Sequence, residues 1–112
     1  MQINRMVRSY MVQIMNSEDF LKHVAETVER QLNEWDVSYK VLVMKLRDYE
    51  LVIKNLDQEF QVKMTDQEVH VLHSTGLFKL DHKIWTELIK QGLHIQEGYG
   101  NYLSTVLEEV HE

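Results

Sequence analysis

The apolar pattern of this chain changes period at Val37, and that change constrains its fold more than any other feature. Before it, Phe20, Leu21, Val24, Val28, Leu32 and Trp35 recur at helical spacing, while Lys22, Glu26, Glu29, Arg30 and Glu34 fall elsewhere on the surface. Asn16 and Ser17 offer caps, and Glu18 and Asp19 follow where the helix dipole favours negative charge. A helix is predicted from there to about Asp36. After Val37, β-branched and aromatic residues become frequent and alternate with polar ones, which is the pattern of a pleated strand.

Four short strands are predicted, near residues 39–46, 49–54, 59–64 and 68–73. The connections between them are so short that each must be an antiparallel hairpin, and a meander results. In the third strand Phe60, Val62 and Met64 alternate with Gln61 and Lys63, and in the fourth Val69 and Val71 alternate with Glu68 and His70. One face of the sheet should therefore be wet there. The first strand differs, because Val41, Leu42, Val43 and Met44 run without a break and predict cover on both faces.

Ser74, Thr75 and Gly76 end this region. Asp81 is then placed to cap a helix whose Ile84, Trp85, Leu88 and Ile89 form one face, with Gly92 as its stop. Leu93 to Ile95 reads as a short extended piece. After Gly98 and Gly100, Asn101 can cap a last helix carrying Leu103, Val106, Leu107 and Val110. The expected fold is thus one α+β domain over residues 1–112: an N-terminal helix packed on a four-stranded antiparallel meander, followed by two C-terminal helices. Residues 1–15 add a further N-terminal helix or strand. There Ile3, Met6, Val7, Tyr10, Met11 and Ile14 keep helical spacing, and Arg5 and Arg8 make the segment basic. Met1, Met6, Met11 and Met15 are each able to serve as the start.

Several function classes are excluded at once. Without cysteine there is no disulfide framework, zinc finger, iron–sulfur site or thiol nucleophile, and a cytoplasmic location is expected. No apolar run approaches the ~20 residues that cross a bilayer, so no membrane insertion is expected. The formal charge of −6 is unevenly placed: residues 1–56 hold eight basic and eight acidic side chains, residues 57–112 four and ten. That balance disfavours nucleic acid, whose phosphates need neutralising, and favours a protein partner.

Candidate chemistry is sparse. Of the six histidines at positions 23, 70, 73, 82, 94 and 111, His70 and His73 would share a helical face but lie on opposite faces of the predicted strand. No metal site is expected from them. Glu68 and His70 share a strand face and are candidates for proton transfer. Ser74 and Thr75 beside His73 lack the Gly-x-Ser-x-Gly context of a nucleophile elbow and read as a turn. The stretch Glu97-Gly98-Tyr99-Gly100-Asn101-Tyr102 has turn chemistry without the lysine of a phosphate loop. Tyr99, Asn101 and Tyr102 are binding candidates because tyrosine is enriched at interfaces. Trp35 and Trp85 lie on apolar stripes and should pack against the sheet, and Glu108-Glu109 reads as a solvated helix face.

With no catalytic residues assigned and no cofactor implied, the sequence points to a small cytoplasmic, non-catalytic protein-interaction module: an adaptor, regulator or inhibitor of a partner protein, or one that associates with itself. The alternatives are a phage or mobile-element assembly subunit, and a small enzyme with a polar site on the exposed sheet face.

Overall fold

The computed structural model describes residues 1–108. Glu109, Val110 and His111, named above, lie outside the described residues. Two helices precede the sheet, α1 (Arg5–Ile14) and α2 (Ser17–Trp35). The Asn16 side chain accepts from the Asp19 amide at 2.8 Å, which satisfies one of the first-turn donors of α2 and fixes where it starts. Of its apolar stripe Phe20, Leu21, Val24, Val28 and Leu32 are buried, joined by Ala25, and Trp35 at its end is half-buried against the core.

Three strands follow, β1 (Lys40–Lys45), β2 (Tyr49–Lys54) and β3 (Glu59–Met64), antiparallel and in that order. Asn55 closes the β2–β3 turn by accepting from the amides of Asp57 and Gln58 at 3.0 and 2.8 Å. The register aligns Val43 with Leu51 and Leu51 with Val62, and likewise Val41 with Ile53 and Ile53 with Phe60. These residues line the inner face. Helix α2 covers it at β1, and α4 (Lys79–Lys90) covers it at β3, contributing Leu80, Ile84, Trp85 and Leu88 to the core. Each such side chain, removed from water, contributes about 1.5–3 kcal/mol. A last helix, α5 (Tyr102–Glu108), packs on α4.

The expected fourth strand does not form. Residues 66–75 are a helix, α3 (Asp66–Thr75), so the described residues form an α+β fold with five helices and a three-stranded antiparallel sheet rather than a four-stranded meander with two helices after it. The Thr65 hydroxyl accepts from the Glu68 amide at 3.0 Å, and Asp66 and Glu68 stand at the positive end of the helix. Burial follows the helical period: Val69 is buried and Leu72 packs on the core, while Val71, which a strand would place beside Val69, is exposed.

Two further expectations are corrected. No element among the described residues covers the outer face of β1, where Leu42 and Met44 remain exposed. Asp81 caps nothing: α4 begins after Phe78, which makes no side-chain cap, and Asp81 lies in its first turn, fully buried. Leu93 is buried in an irregular segment with no strand.

Candidate functional site

The segment with the most consequence is α1, because its orientation inverts its sequence. Its caps are ordinary, Asn4 Oδ1 accepting from the amides of Met6 and Val7 at 2.9 and 3.2 Å. Its inner face is formed by Arg8, Val12 and Met15, at i, i+4 and i+7; Arg8 is buried and the other two pack on the core. Most of the apolar stripe turns outward, with Met6 82%, Val7 54%, Tyr10 60% and Ile14 57% exposed, while Ile3 packs on the core and Met11 is half-buried.

Burying Arg8 requires a counterion, and Asp81 supplies it. Arg8 Nη1 donates to Asp81 Oδ1 at 2.5 Å and Nη2 to Oδ2 at 3.1 Å, the two-pronged match of a guanidinium to a carboxylate. Nη1 also donates to the Leu77 carbonyl at 3.1 Å. The guanidinium carbon lies 4.7 Å from the Phe78 ring and 5.6 Å from that of Phe20, so the rings offer their faces to the charge. Tyr102 donates its hydroxyl to Asp81 Oδ2 at 2.5 Å, and Trp85 Nε1 donates to the Tyr102 oxygen at 3.2 Å. Burial, then the Asp81 charge, holds the Tyr102 hydroxyl well above the usual tyrosine value. The start of α1 is tied down separately: the Ile3 amide donates to Asn101 Oδ1 at 2.7 Å and the Tyr102 amide to the Met1 carbonyl at 3.1 Å. Gly100 allows this approach, since it has φ +94° and a Cβ there would strike the Met1 backbone.

At the other end of α1 lies a second polar cluster. Ser17 Oγ, at the first position of α2, is 2.9 Å from His73 Nδ1 and 3.1 Å from His70 Nδ1. His73 Nε2 is 2.9 Å from the Val12 carbonyl oxygen. A carbonyl only accepts, so Nε2 carries the proton and the neutral ring presents a bare Nδ1. Ser17 therefore donates to His73, and its oxygen accepts from His70 Nδ1–H. The His73 ring is further held by stacking on Phe20, centroids 4.6 Å apart and planes at 22°. Val12, Asn16, Ser17, His70, His73 and Ser74 line an open cleft of about 430 Å³ here. Nearby, His23 is held below the ordinary histidine value by burial first and by the Arg8 charge second.

The sequence-predicted candidates are dispersed. Glu68 and His70 are two apart on α3, positions that do not face each other on a helix. Glu68 Oε2 lies 3.7 Å from Lys83 Nζ, while His70 turns to Ser17. Tyr99 is exposed, meets Trp35 edge to face at 6.4 Å, and lines a cavity of about 280 Å³ with Gln31, Ile95 and Leu103. Its carbonyl accepts from the Met1 amine. Tyr102 is wholly buried in the Arg8 network, so the two tyrosines do not form one contact point. Asn101 holds the chain ahead of α1. The two tryptophans pack edge to face on each other at 5.8 Å.

Ser17, His73, Arg8 and Asp81 were not candidates in the sequence. The three-residue spacing of His70 and His73 carried the signal for the cleft, once the segment is read as a helix. Among the described residues no group of three or more histidine, aspartate, glutamate or cysteine side chains could hold a metal ion. No helix among them is long and apolar enough to cross a membrane. No protein family, curated protein or solved structure matches the chain.

Proposed function

We propose that this protein is a cytoplasmic, single-domain interaction module that presents α1 to a protein partner. The observation that carries this reading is the inverted helix: an arginine is buried at the cost of its hydration while Met6, Val7, Tyr10 and Ile14 are held out to water. A helix docked only to close a core would bury the stripe. The ion pair to Asp81 fixes α1 rigidly in the opposite orientation, and its apolar anchors follow the i, i+3/i+4, i+7/i+8 spacing that binding grooves read.

The partner's chemistry follows from area and charge. Four side chains make a patch of a few hundred Å² at most, below the ~800 Å² that each side of a standard stable interface buries. That favours a groove whose walls enclose the helix over a second copy meeting it face to face. Residues 1–15 carry Arg5 and Arg8 and no acid, on a chain of net charge −6. The groove should therefore be apolar with an acidic rim.

A photo-crosslinking residue introduced in place of Tyr10, with one in place of Lys90 as the control, tests this in cells. The expected result is a discrete adduct from position 10 alone. The partner so identified, once purified, should bind the wild type and bind Tyr10→Glu and Ile14→Glu at least 100-fold more weakly, at unchanged melting temperature. Absence of an adduct, an adduct of exactly two copies, or retention on anionic vesicles would each overturn the reading, the last two in favour of a homodimer or a membrane surface.

A further inference from the structure

The cleft at the end of α1 has a chemistry of its own, independent of partner binding. The geometry points to Ser17 as a nucleophile for small carboxylic esters, with His73 as its base. Three requirements of serine chemistry meet there. The Ser17 hydroxyl is within hydrogen-bond reach of a bare imidazole nitrogen, at 2.9 Å. That imidazole is oriented by a third group: its opposite N–H donates to the Val12 carbonyl, which also stabilises the imidazolium once formed, and Phe20 fixes the ring plane. Donors for an oxyanion lie beside the hydroxyl. Asn16 takes only the Asp19 amide, which leaves the Ser17 and Glu18 amides of the 19-residue α2 pointing out of its positive end.

Ser17 Oγ bonds to the ester carbonyl carbon as its proton passes to His73 Nδ1, and the carbonyl oxygen becomes an oxyanion against the amides. Collapse of that intermediate breaks the carbon–oxygen bond to the alcohol, which leaves with the proton from His73. Water then attacks the acyl-serine; its proton goes to His73 and on to Ser17 Oγ, and the carboxylic acid departs. His70, whose Nδ1–H reaches Ser17 Oγ at 3.1 Å, is a positioning residue that fixes the hydroxyl rotamer. The exposed lining of the cleft, to which Val12 contributes, is mainly apolar and offers a seat for a short acyl group.

The full-length protein, incubated with a fluorophosphonate probe and mapped by peptide mass spectrometry, tests this directly. A phosphonyl adduct on Ser17 is expected, together with burst release of nitrophenol from p-nitrophenyl acetate. Both should vanish in denaturing urea, because only the fold aligns the base. His73→Gln keeps a donor for Val12 but has no base, and should label about 100-fold more slowly or worse. His70→Gln should slow labelling less, and Ser104→Ala, outside the cleft, not at all. Labelling absent from the folded wild type, directed to another serine, persisting in urea, or unchanged in folded His73→Gln would overturn the assignment.

Discussion

Arg8 is the residue on which the arrangement of the N-terminal third depends. Replacing it alone, as Arg8→Met, strands Asp81 inside the protein with only Tyr102 to bond it, and should cost about 3–5 kcal/mol in urea unfolding. Adding Asp81→Leu should recover most of that loss, because an apolar pair of similar volume needs no desolvation; a double variant as unstable as the single one would contradict the argument. Tyr102 extends the same network to alkaline pH. Its hydroxyl stays protonated in the fold above the ordinary value of 10.0, whereas an unfolded tyrosine ionises there. The native state then holds more protons than the unfolded one, so this contribution is intact below about pH 10 and is lost as pH rises beyond it. Melting temperatures followed from about pH 9.5 to 11 should fall more steeply for the wild type than for Tyr102→Phe.

At the scale of elements, α3 separates what the sequence revealed from what it concealed. The helix α2 and the strands β1 to β3 announce themselves because their apolar periods are long, or alternate cleanly and end in recognisable turns. In residues 68–71 the alternation Glu-Val-His-Val is too short to tell the two periods apart. The deciding feature is local: Thr65 with Glu68 three residues on is the pattern of a capping box, and Thr65 does cap. Thr65→Ala should therefore cost about 1 kcal/mol by chemical denaturation, as the loss of an N-cap does, where the loss of a hairpin residue would cost less. A strand over these residues would set His70 and His73 on opposite faces and hide the cleft with Ser17. The cleft also joins residues 53 and 56 positions apart, which no local pattern reports. Helix α1 was legible as amphipathic, but its facing was not. Only the place of Asp81 inside the fold decides that Arg8 turns in.

At the scale of the whole molecule, one histidine shapes how stability depends on pH. His23, held low by burial and by Arg8, resists protonation in the fold but not in the unfolded chain. Below the ordinary value of 6.5 the unfolded state binds more protons, so stability declines as pH falls through that value. His23→Gln should flatten the decline in melting temperature between about pH 6.5 and 5; an identical profile would remove His23 as its source. The ion pair that seats α1 also has a place in time. Arg8 finds its counterion 73 positions further along the chain. At roughly 5–20 residues per second of synthesis, the ribosome takes about 4–15 s to supply it. Throughout that interval α1 is a basic segment without its counterion, and although it is made before α2 and α3 it is seated only once α4 follows. A nascent chain of this protein should thus offer its N-terminal segment to ribosome-bound chaperones until α4 clears the exit tunnel.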